Sequence, residues 1–275
     1  MTLLVVGGSG LLGRELIRQA RRSGTSVAAT VHRAPAAGPD RHRLDIRDRA
    51  AVAALVRRLR PTTIVNAAHR QADWATTADG AMHVAAAAAA TGARLVHVSS
   101  DAVFAGSPEP YDEAHPPNPG TPYGAAKAAA ETAVKGLDPA AIIARTSLII
   151  GNGDSTHEAY VHALAAGTTA GALFTDDVRC PIHVADLASA LLELAASPHA
   201  GIHHVAGAAA VTRHELGILI ARRDGLDETR LPTARRADTD TPGPLTLRLN
   251  CETTRTRLTT PLRGAPEFLT PHPRS

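Results

Sequence analysis

The fold of this chain is decided by the stretch Leu3-Leu4-Val5-Val6-Gly7-Gly8-Ser9-Gly10-Leu11-Leu12-Gly13, close to its first residue. The apolar run predicts a buried strand, and the pattern that starts at Leu11 predicts a helix. Three glycines lie between them at a spacing of three, which allows a tight turn, a close approach of a pyrophosphate, and close packing of the helix on the strand. A helix N-terminus attracts phosphate through its free N–H groups. We therefore expect a dinucleotide pyrophosphate to be bound by Gly7, Ser9, Gly10, Leu11, Leu12 and Gly13.

Short apolar runs alternate with helical patterns over the first half of the chain. Strands are predicted at 3–6, 26–31, 64–67, 95–98 and 141–147, with helices between them. This alternation predicts an α/β protein of the Rossmann type, with a doubly wound parallel sheet. Residues 1–150 are predicted to form an NAD(P)-binding domain, and 151–275 mainly a smaller C-terminal α/β substrate lobe. We expect 182–206 to return to the main sheet, and a last strand at 245–249.

The end of the second predicted strand bears on the choice of cofactor. An NAD site usually has an acidic residue there for the ribose hydroxyls, but this chain has His32 and Arg33. A guanidinium at this point can pair with the 2′-phosphate of NADP. We therefore predict that NADP(H) is preferred, with NAD(H) left open. Asp45 and Ile46, after the next short apolar run, are expected to reach the adenine.

The catalytic candidates are two hydroxyl groups and an amine. Tyr123 and Lys127 form a Tyr-x-x-x-Lys pair on a predicted helix, which places both side chains on one face. A nearby ammonium favours the phenolate, so we expect it to lower the pKa of Tyr123 and suit the tyrosine to proton transfer at a carbonyl. Ser99 and Ser100 end a predicted strand, where ligands of open α/β sheets bind. Ser100 is predicted to contact the substrate oxygen, and Ser99 the cofactor.

Composition excludes several other classes of protein. Among 275 residues the net charge is +3 with the charges interspersed, and aromatic residues make up 3%, so no nucleic-acid partner is expected. No apolar run is long enough to span a membrane. Two cysteines do not make a disulfide framework, and fourteen histidines show no ligand spacing, so we assign no metal. We expect a cytoplasmic protein with a small-molecule substrate, and the sequence leaves a homodimer open.

At these residues the chain resembles the extended short-chain dehydrogenase/reductases, and within them the dTDP-4-dehydrorhamnose reductase group. The likeness extends over nearly the whole chain. Besides the glycine loop and the Tyr123/Lys127 pair, it rests on Ile64-Val65-Asn66-Ala67-Ala68, on 95–106, on Pro110-Tyr111-Asp112-Glu113, on Ala144-Arg145-Thr146-Ser147, on 180–188 and on 201–207. The resemblance implies that Asn66, Ala67 and Ala68 bind the cofactor, together with Ser99, Tyr123 and Lys127. It also implies that Ser100 takes the place of a catalytic threonine, that Tyr123 is the acid and that Lys127 is its electrostatic partner.

The function implied is reduction of a keto group on a nucleotide-linked deoxysugar by NAD(P)H. Two departures concern the substrate: the stretch after Asn66 is about ten residues shorter than is usual in the group, and Thr77 stands where an asparagine is usual. Another polar ketone is therefore an open alternative. So are a cofactor-retaining epimerase or dehydratase, and a non-catalytic NADP-binding regulatory subunit.

Overall fold

A parallel sheet of seven strands forms the centre of the protein, in a computed structural model that describes residues 2–33, 38, 40–240 and 243–270. The strands of this sheet are β1 (Thr2–Val6), β2 (Ser26–Val31), β3 (Arg41–Arg43), β4 (Thr63–Asn66), β5 (Arg94–Ser100), β6 (Ile142–Thr146) and β11 (Gly201–His204). Their spatial order is β11-β6-β5-β4-β1-β2-β3, and every neighbouring pair is parallel. The predicted doubly wound α/β fold is confirmed.

Helices cover both faces of this sheet. On one face α1 (Leu11–Arg22) packs against α6 (Val184–Ala196), and on the other α2 (Arg49–Leu59), α3 (Gly80–Thr91) and α4 (Pro122–Leu137) lie side by side. Alternate residues of each strand enter the two cores, as Leu3 and Leu4 of β1 do. Alanine packs closely, and Ala85 and Ala88 of the alanine tract are fully buried against the sheet.

The remaining elements lie mostly in the second half of the chain. Ser155 and Thr212 cap α5 and α7 in reciprocal capping boxes. The helices are α5 (Thr156–Ala166), α7 (Arg213–Asp224), α8 (Glu252–Arg255) and α9 (Ala265–Phe268), with a π-helical turn at Ala75–Asp79 and 3₁₀ turns at Asp101–Val103, Glu228–Arg230 and Arg236–Asp238. The short strands are β7 (Ile149–Ile150), β8 (Leu173–Phe174), β9 (Val178–Arg179), β10 (Ile182–His183), β12 (Val211–Thr212) and β13 (Thr233–Ala234).

The strands differ from the sequence-based expectation in several places, and the short strands β7, β8, β9, β12 and β13 were not predicted. The strand predicted at 245–249 is wrong, because this segment changes partner: Thr246 bridges Val178, whereas Leu249 bridges Tyr111. The edge strand β3 was not predicted, since its three residues are polar and too few to show a period. In the described part of the chain, every helix is too short or too polar to cross a bilayer.

Candidate active site

The glycine loop between β1 and α1 is held in a single conformation by its neighbours. Gly7 has φ +91°, and a Cβ there would lie 2.9 Å from the backbone nitrogen of Ala68. A Cβ on Gly13 would lie 2.2 Å from the carbonyl oxygen of Gly7, so only glycine lets the helix approach the strand this closely. Helix α1 begins after Gly10 without a side-chain cap and without an acidic residue in its first turn. Its first N–H groups therefore keep their capacity to bind an anion.

A cavity of about 320 Å³ opens in front of this loop. It runs from the ends of β2 and β3 past the loop to the end of β4. Nine residues predicted to bind the cofactor line it: Gly7, Ser9, Gly10, His32, Arg33, Asp45, Ile46, Ala67 and Ala68. The other seven residues predicted to bind the cofactor are not in its lining, namely Leu11, Leu12, Gly13, Asn66, Ser99, Tyr123 and Lys127. The wall is completed by Thr30, Leu44, His69, Arg70 and Thr76, which the sequence did not single out.

The far end of the cavity carries more positive than negative charge. His32 and Arg33 are exposed there. The one carboxylate of the lining, on Asp45, is chelated by the Arg47 guanidinium, with Nη2 2.6 Å from Oδ2 and Nε 3.0 Å from Oδ1. These hydrogen bonds hold the pKa of Asp45 at about 2. The carboxylate is therefore ionised but already paired, and the exposed guanidinium of Arg33 dominates this end.

Ser100 and Tyr123 meet beyond the other end of the cavity. Ser100 is the last residue of β5, and Tyr123 lies in the first turn of α4, which Thr121 caps. Burial, and then the charge of Asp101, raise the pKa of Tyr123. The nearby Ser100 hydroxyl opposes that shift, and it also donates to Oδ1 of Asp101 at 3.2 Å. The predicted lowering of this pKa is wrong, and the phenol is held in its protonated form.

The Lys127 ammonium, which was expected to lower this pKa, binds the backbone of β5. Its Nζ donates to the carbonyl oxygen of Val98 at 2.9 Å, and the side chain is buried. Burial lowers the pKa of Lys127 to about 8, although the nearby carboxylate of Glu131 opposes the shift. Tyr123 and Lys127 thus share a face of α4, as predicted, but the amine is anchored to the strand.

A buried ion pair lies one turn further along α4. Arg145 of β6, fully buried, donates to Glu131 through Nη2 at 2.8 Å and through Nε at 3.0 Å. The Ser99 hydroxyl donates to the same carboxylate at 2.5 Å. Ser99 was predicted at the cofactor, but its side chain turns into the core. Removing one partner of such a pair would leave an unpaired buried charge.

The shortened stretch after Asn66 is a hydrogen-bonded loop. Thr77, at the position of the usual asparagine, is buried in the π-helical turn, which packs against α4. Its hydroxyl donates to the Arg70 carbonyl at 2.7 Å and accepts from the Arg70 N–H at 3.1 Å. His69, the residue before Arg70, lies between the cavity and Tyr123, and its ring centroid is 6.2 Å from that of Tyr123. His69 lies in the loop that follows β4, at the carboxyl edge of the sheet, and this position could have identified it from the sequence.

A second cavity of about 450 Å³ lies in the C-terminal lobe, between α5 and α7. Tyr160, Phe174 and Leu216 contribute apolar walls, and His157 and Arg213 add polar groups. Burial lowers the pKa of the Arg213 guanidinium, and the carboxylates of Asp177 and Asp101 oppose that shift. Because Asp101 acts on both Arg213 and Tyr123, this cavity lies within electrostatic range of the Ser100–Tyr123 pair.

Three arginines beside this cavity share the carboxylate of Asp177. Asp177 pairs with Arg179 at 2.6 Å, with Arg236 at 2.9 Å and with Arg213 at 3.6 Å. The Asp101 carboxylate also acts on Arg179 and Arg213. Of the three arginines, Arg213 is the one that lines the cavity, and a guanidinium in that position suits phosphate recognition.

The meeting of Ser100 and Tyr123 at the sheet edge, next to a cavity walled by the glycine loop, defines the class of protein as an extended short-chain dehydrogenase/reductase. The resemblance that predicted this class is confirmed by comparison with known proteins. A family model described as the RmlD substrate binding domain matches residues 1–267. The chain belongs to this family, whose characterised members are NAD(P)-dependent oxidoreductases.

Individual relatives agree with this family. The dTDP-4-dehydrorhamnose reductase of Streptomyces griseus is 35% identical over 252 residues, which cover 85% of this chain and 80% of that protein. The dTDP-4-keto-6-deoxy-D-glucose reductase of Streptomyces niveus is 32% identical over 240 residues, which cover 83% of this chain and 80% of that protein. The crystal structure of dTDP-4-dehydrorhamnose reductase from Bacillus anthracis in complex with NADP has a TM-score of 0.82 and 25% identity, with 98% of this chain and 95% of that chain covered.

Proposed function

We propose that this protein reduces a keto group on a nucleotide-linked deoxysugar with NADPH, and that Tyr123 is the general acid. The observation that carries the proposal is the placement of Ser100 and Tyr123 together at the carboxyl edge of the sheet, with His69 lying between Tyr123 and the glycine-loop cavity. A carbonyl held by these two hydroxyls would lie beside a dinucleotide bound in that cavity.

The residues present fit a dinucleotide cofactor. A Cβ at Gly7 or Gly13 would collide with backbone, so the loop keeps a surface free of side chains next to the uncapped start of α1. When bound, NADPH supplies the hydride that reduces the carbonyl carbon. Arg33 and His32 would hold the 2′-phosphate. The NADP complex of the Bacillus anthracis relative supports the same cofactor here.

Each catalytic side chain has a role that its surroundings favour. Tyr123 is protonated, which suits it to give its proton to the oxygen of the carbonyl as that carbon is reduced. The Ser100 hydroxyl is placed to donate to the same oxygen while its charge develops. The Lys127 ammonium is bound to the Val98 carbonyl one helical turn after Tyr123, where it holds this face of α4 against β5.

The second cavity supports the nucleotide part of the proposal. Its apolar wall, with Tyr160 and Phe174, suits a base and sugar, and the Arg213 guanidinium in its lining suits a phosphate. The names of the Streptomyces griseus and Streptomyces niveus relatives point to 4-keto sugars linked to dTDP. We therefore propose dTDP-4-dehydrorhamnose and dTDP-4-keto-6-deoxy-D-glucose as first substrates.

The experiment compares wild type with Tyr123→Phe in NADPH oxidation with these sugars. We expect stoichiometric NADPH consumption by wild type, and a loss of about 100-fold to 10,000-fold in kcat for the variant, with the Kd for NADPH unchanged. Turnover of the sugar without net NADPH consumption would favour an epimerase or dehydratase. Full activity of Tyr123→Phe would reject the assigned mechanism, and tight NADPH binding without turnover of any ketone would favour a regulatory subunit.

A further inference from the structure

The His69 side chain is the one group of the shortened loop that faces both the cofactor cavity and the catalytic tyrosine. It is exposed to solvent through the cavity, although protein surrounds the ring on most other sides. Its ring centroid lies 6.2 Å from that of Tyr123, with the planes inclined at 48°. Two rings at this separation, not stacked on each other, can both touch one bound molecule.

The protonation state of the ring limits what it can offer to a ligand. Burial and the neighbouring charge of Lys127 lower the pKa of His69, so the ring is neutral at pH 7. A neutral imidazole has one donor nitrogen and one acceptor nitrogen. His69 can therefore accept a hydrogen bond from a donor such as a hydroxyl group.

From this geometry we propose that His69 accepts a hydrogen bond from the substrate hydroxyl next to the carbonyl that Tyr123 protonates, and so selects substrates that carry this hydroxyl. The inference rests on the proposed function, and it names the recognised group. In a 4-keto-6-deoxy sugar the adjacent hydroxyl is the one on C3. His69 is then a specificity-determining residue that touches substrate.

Thr77 acts on this contact through the backbone. Its hydroxyl binds both the N–H and the carbonyl of Arg70, so it fixes the residue that follows His69. The π-helical turn that carries Thr77 packs on α4, which bears Tyr123. Thr77 is therefore a positioning residue that sets the distance between the imidazole and the tyrosine.

The test uses two substrates, dTDP-4-keto-6-deoxy-D-glucose and its 3-deoxy analogue, with wild type, His69→Ala and His69→Gln. A hydrogen bond in a site of this kind is worth about tenfold. Wild type should prefer the hydroxylated sugar about tenfold in kcat/KM, His69→Ala should lose that preference, and His69→Gln, which keeps an acceptor, should recover part of it. Gln71→Ala, an exposed change in the same loop, is the matched control and should keep it.

Several results would overturn the inference. If His69→Ala lowers kcat/KM equally for both sugars, the residue supports the loop and does not read the hydroxyl. If it raises the Kd for NADPH more than about threefold, the ring serves the cofactor. Thr77→Ser should behave as wild type, whereas Thr77→Val should weaken the preference for the hydroxylated sugar. Failure of wild type to reduce either sugar would instead reject the proposed function, and the inference with it.

Discussion

Replacing Gly13 by alanine is expected to destabilise the whole protein, because the added methyl group has no space. Its Cβ would lie 2.2 Å from the Gly7 carbonyl oxygen and 2.8 Å from the Cα of Gly8, and both are backbone atoms. Restoring ordinary contact would require shifts of more than 1 Å at the oxygen. Overpacking of this severity costs about 3 kcal/mol, a large part of the roughly 5–15 kcal/mol by which proteins of this kind are stable.

Gly10→Ala is the comparison that separates folding from binding. Gly10 has φ −71°, which alanine tolerates, and the nearest atom to a Cβ there is 3.5 Å away. Stability should therefore change by less than about 0.5 kcal/mol. Because Gly10 lines the cavity, the methyl group would stand where the pyrophosphate is proposed to approach, and the Kd for NADPH should rise more than about tenfold.

The assay measures thermal unfolding and NADPH titration for both variants and for Gly136→Ala. Gly136 is exposed in α4, with no atom within 4 Å of an added Cβ, so alanine should raise stability by about 0.5–1 kcal/mol. For Gly13→Ala we expect a fall in Tm of about 6 °C or more, at about 2 °C for each kcal/mol. A wild-type Tm for Gly13→Ala would refute the packing argument, and unchanged NADPH binding by Gly10→Ala would refute the placement of the pyrophosphate.

Two further predictions concern charge. Arg33→Ser should raise the Kd for NADPH about tenfold to 100-fold, because it removes charge-assisted hydrogen bonds. The Kd for NADH should stay within about twofold. Equal losses of affinity for both cofactors would contradict a 2′-phosphate contact. Lys127→Met should abolish turnover. The free energy of unfolding of the variant minus that of wild type should be larger at pH 7 than at pH 10.5. The sign follows because burial lowers the pKa of Lys127 to about 8, so wild type gains stability as the pH rises from about 8 to 10.5 and the variant does not. Urea unfolding at the two pH values tests this, with the exposed Lys135→Met as control, and an equal stability difference at both would reject it.

The parts of the site that the sequence predicted are those fixed by short spacings. Gly7 to Gly13 and Tyr123 to Lys127 each act within one turn or one loop, so their geometry depends little on the rest of the chain. His32 and Arg33 follow a strand directly, and their place at the cavity end follows from the topology of the sheet. The doubly wound parallel sheet was likewise predictable from the alternation of strand and helix patterns, without any tertiary contact.

The parts that were missed depend on contacts between distant segments. Ser99 and Ser100 are adjacent, and only the packing of α4 and β6 determines that Ser99 turns to Glu131 and Arg145. The raised pKa of Tyr123 depends on the burial that α4 creates, and on the charge of Asp101. The arginine cluster around Asp177 brings together residues near 179, 213 and 236, which no local pattern relates.

Helix α4 combines a short sequence spacing with contacts to distant segments, as three of its titratable residues show. Tyr123, Lys127 and Glu131 follow one another at intervals of four residues, and each contacts one of three consecutive residues at the end of β5. The partners are Ser100, the Val98 carbonyl and Ser99, so α4 is fixed to the strand by polar contacts over two helical turns. Because the far contact is anchored by the buried Arg145, the proton donor cannot shift along the sheet edge without breaking an ion pair in the core. The local Tyr-x-x-x-Lys spacing therefore places the acid on the helix, and the Glu131–Arg145 pair determines where that helix stands relative to the carbonyl site.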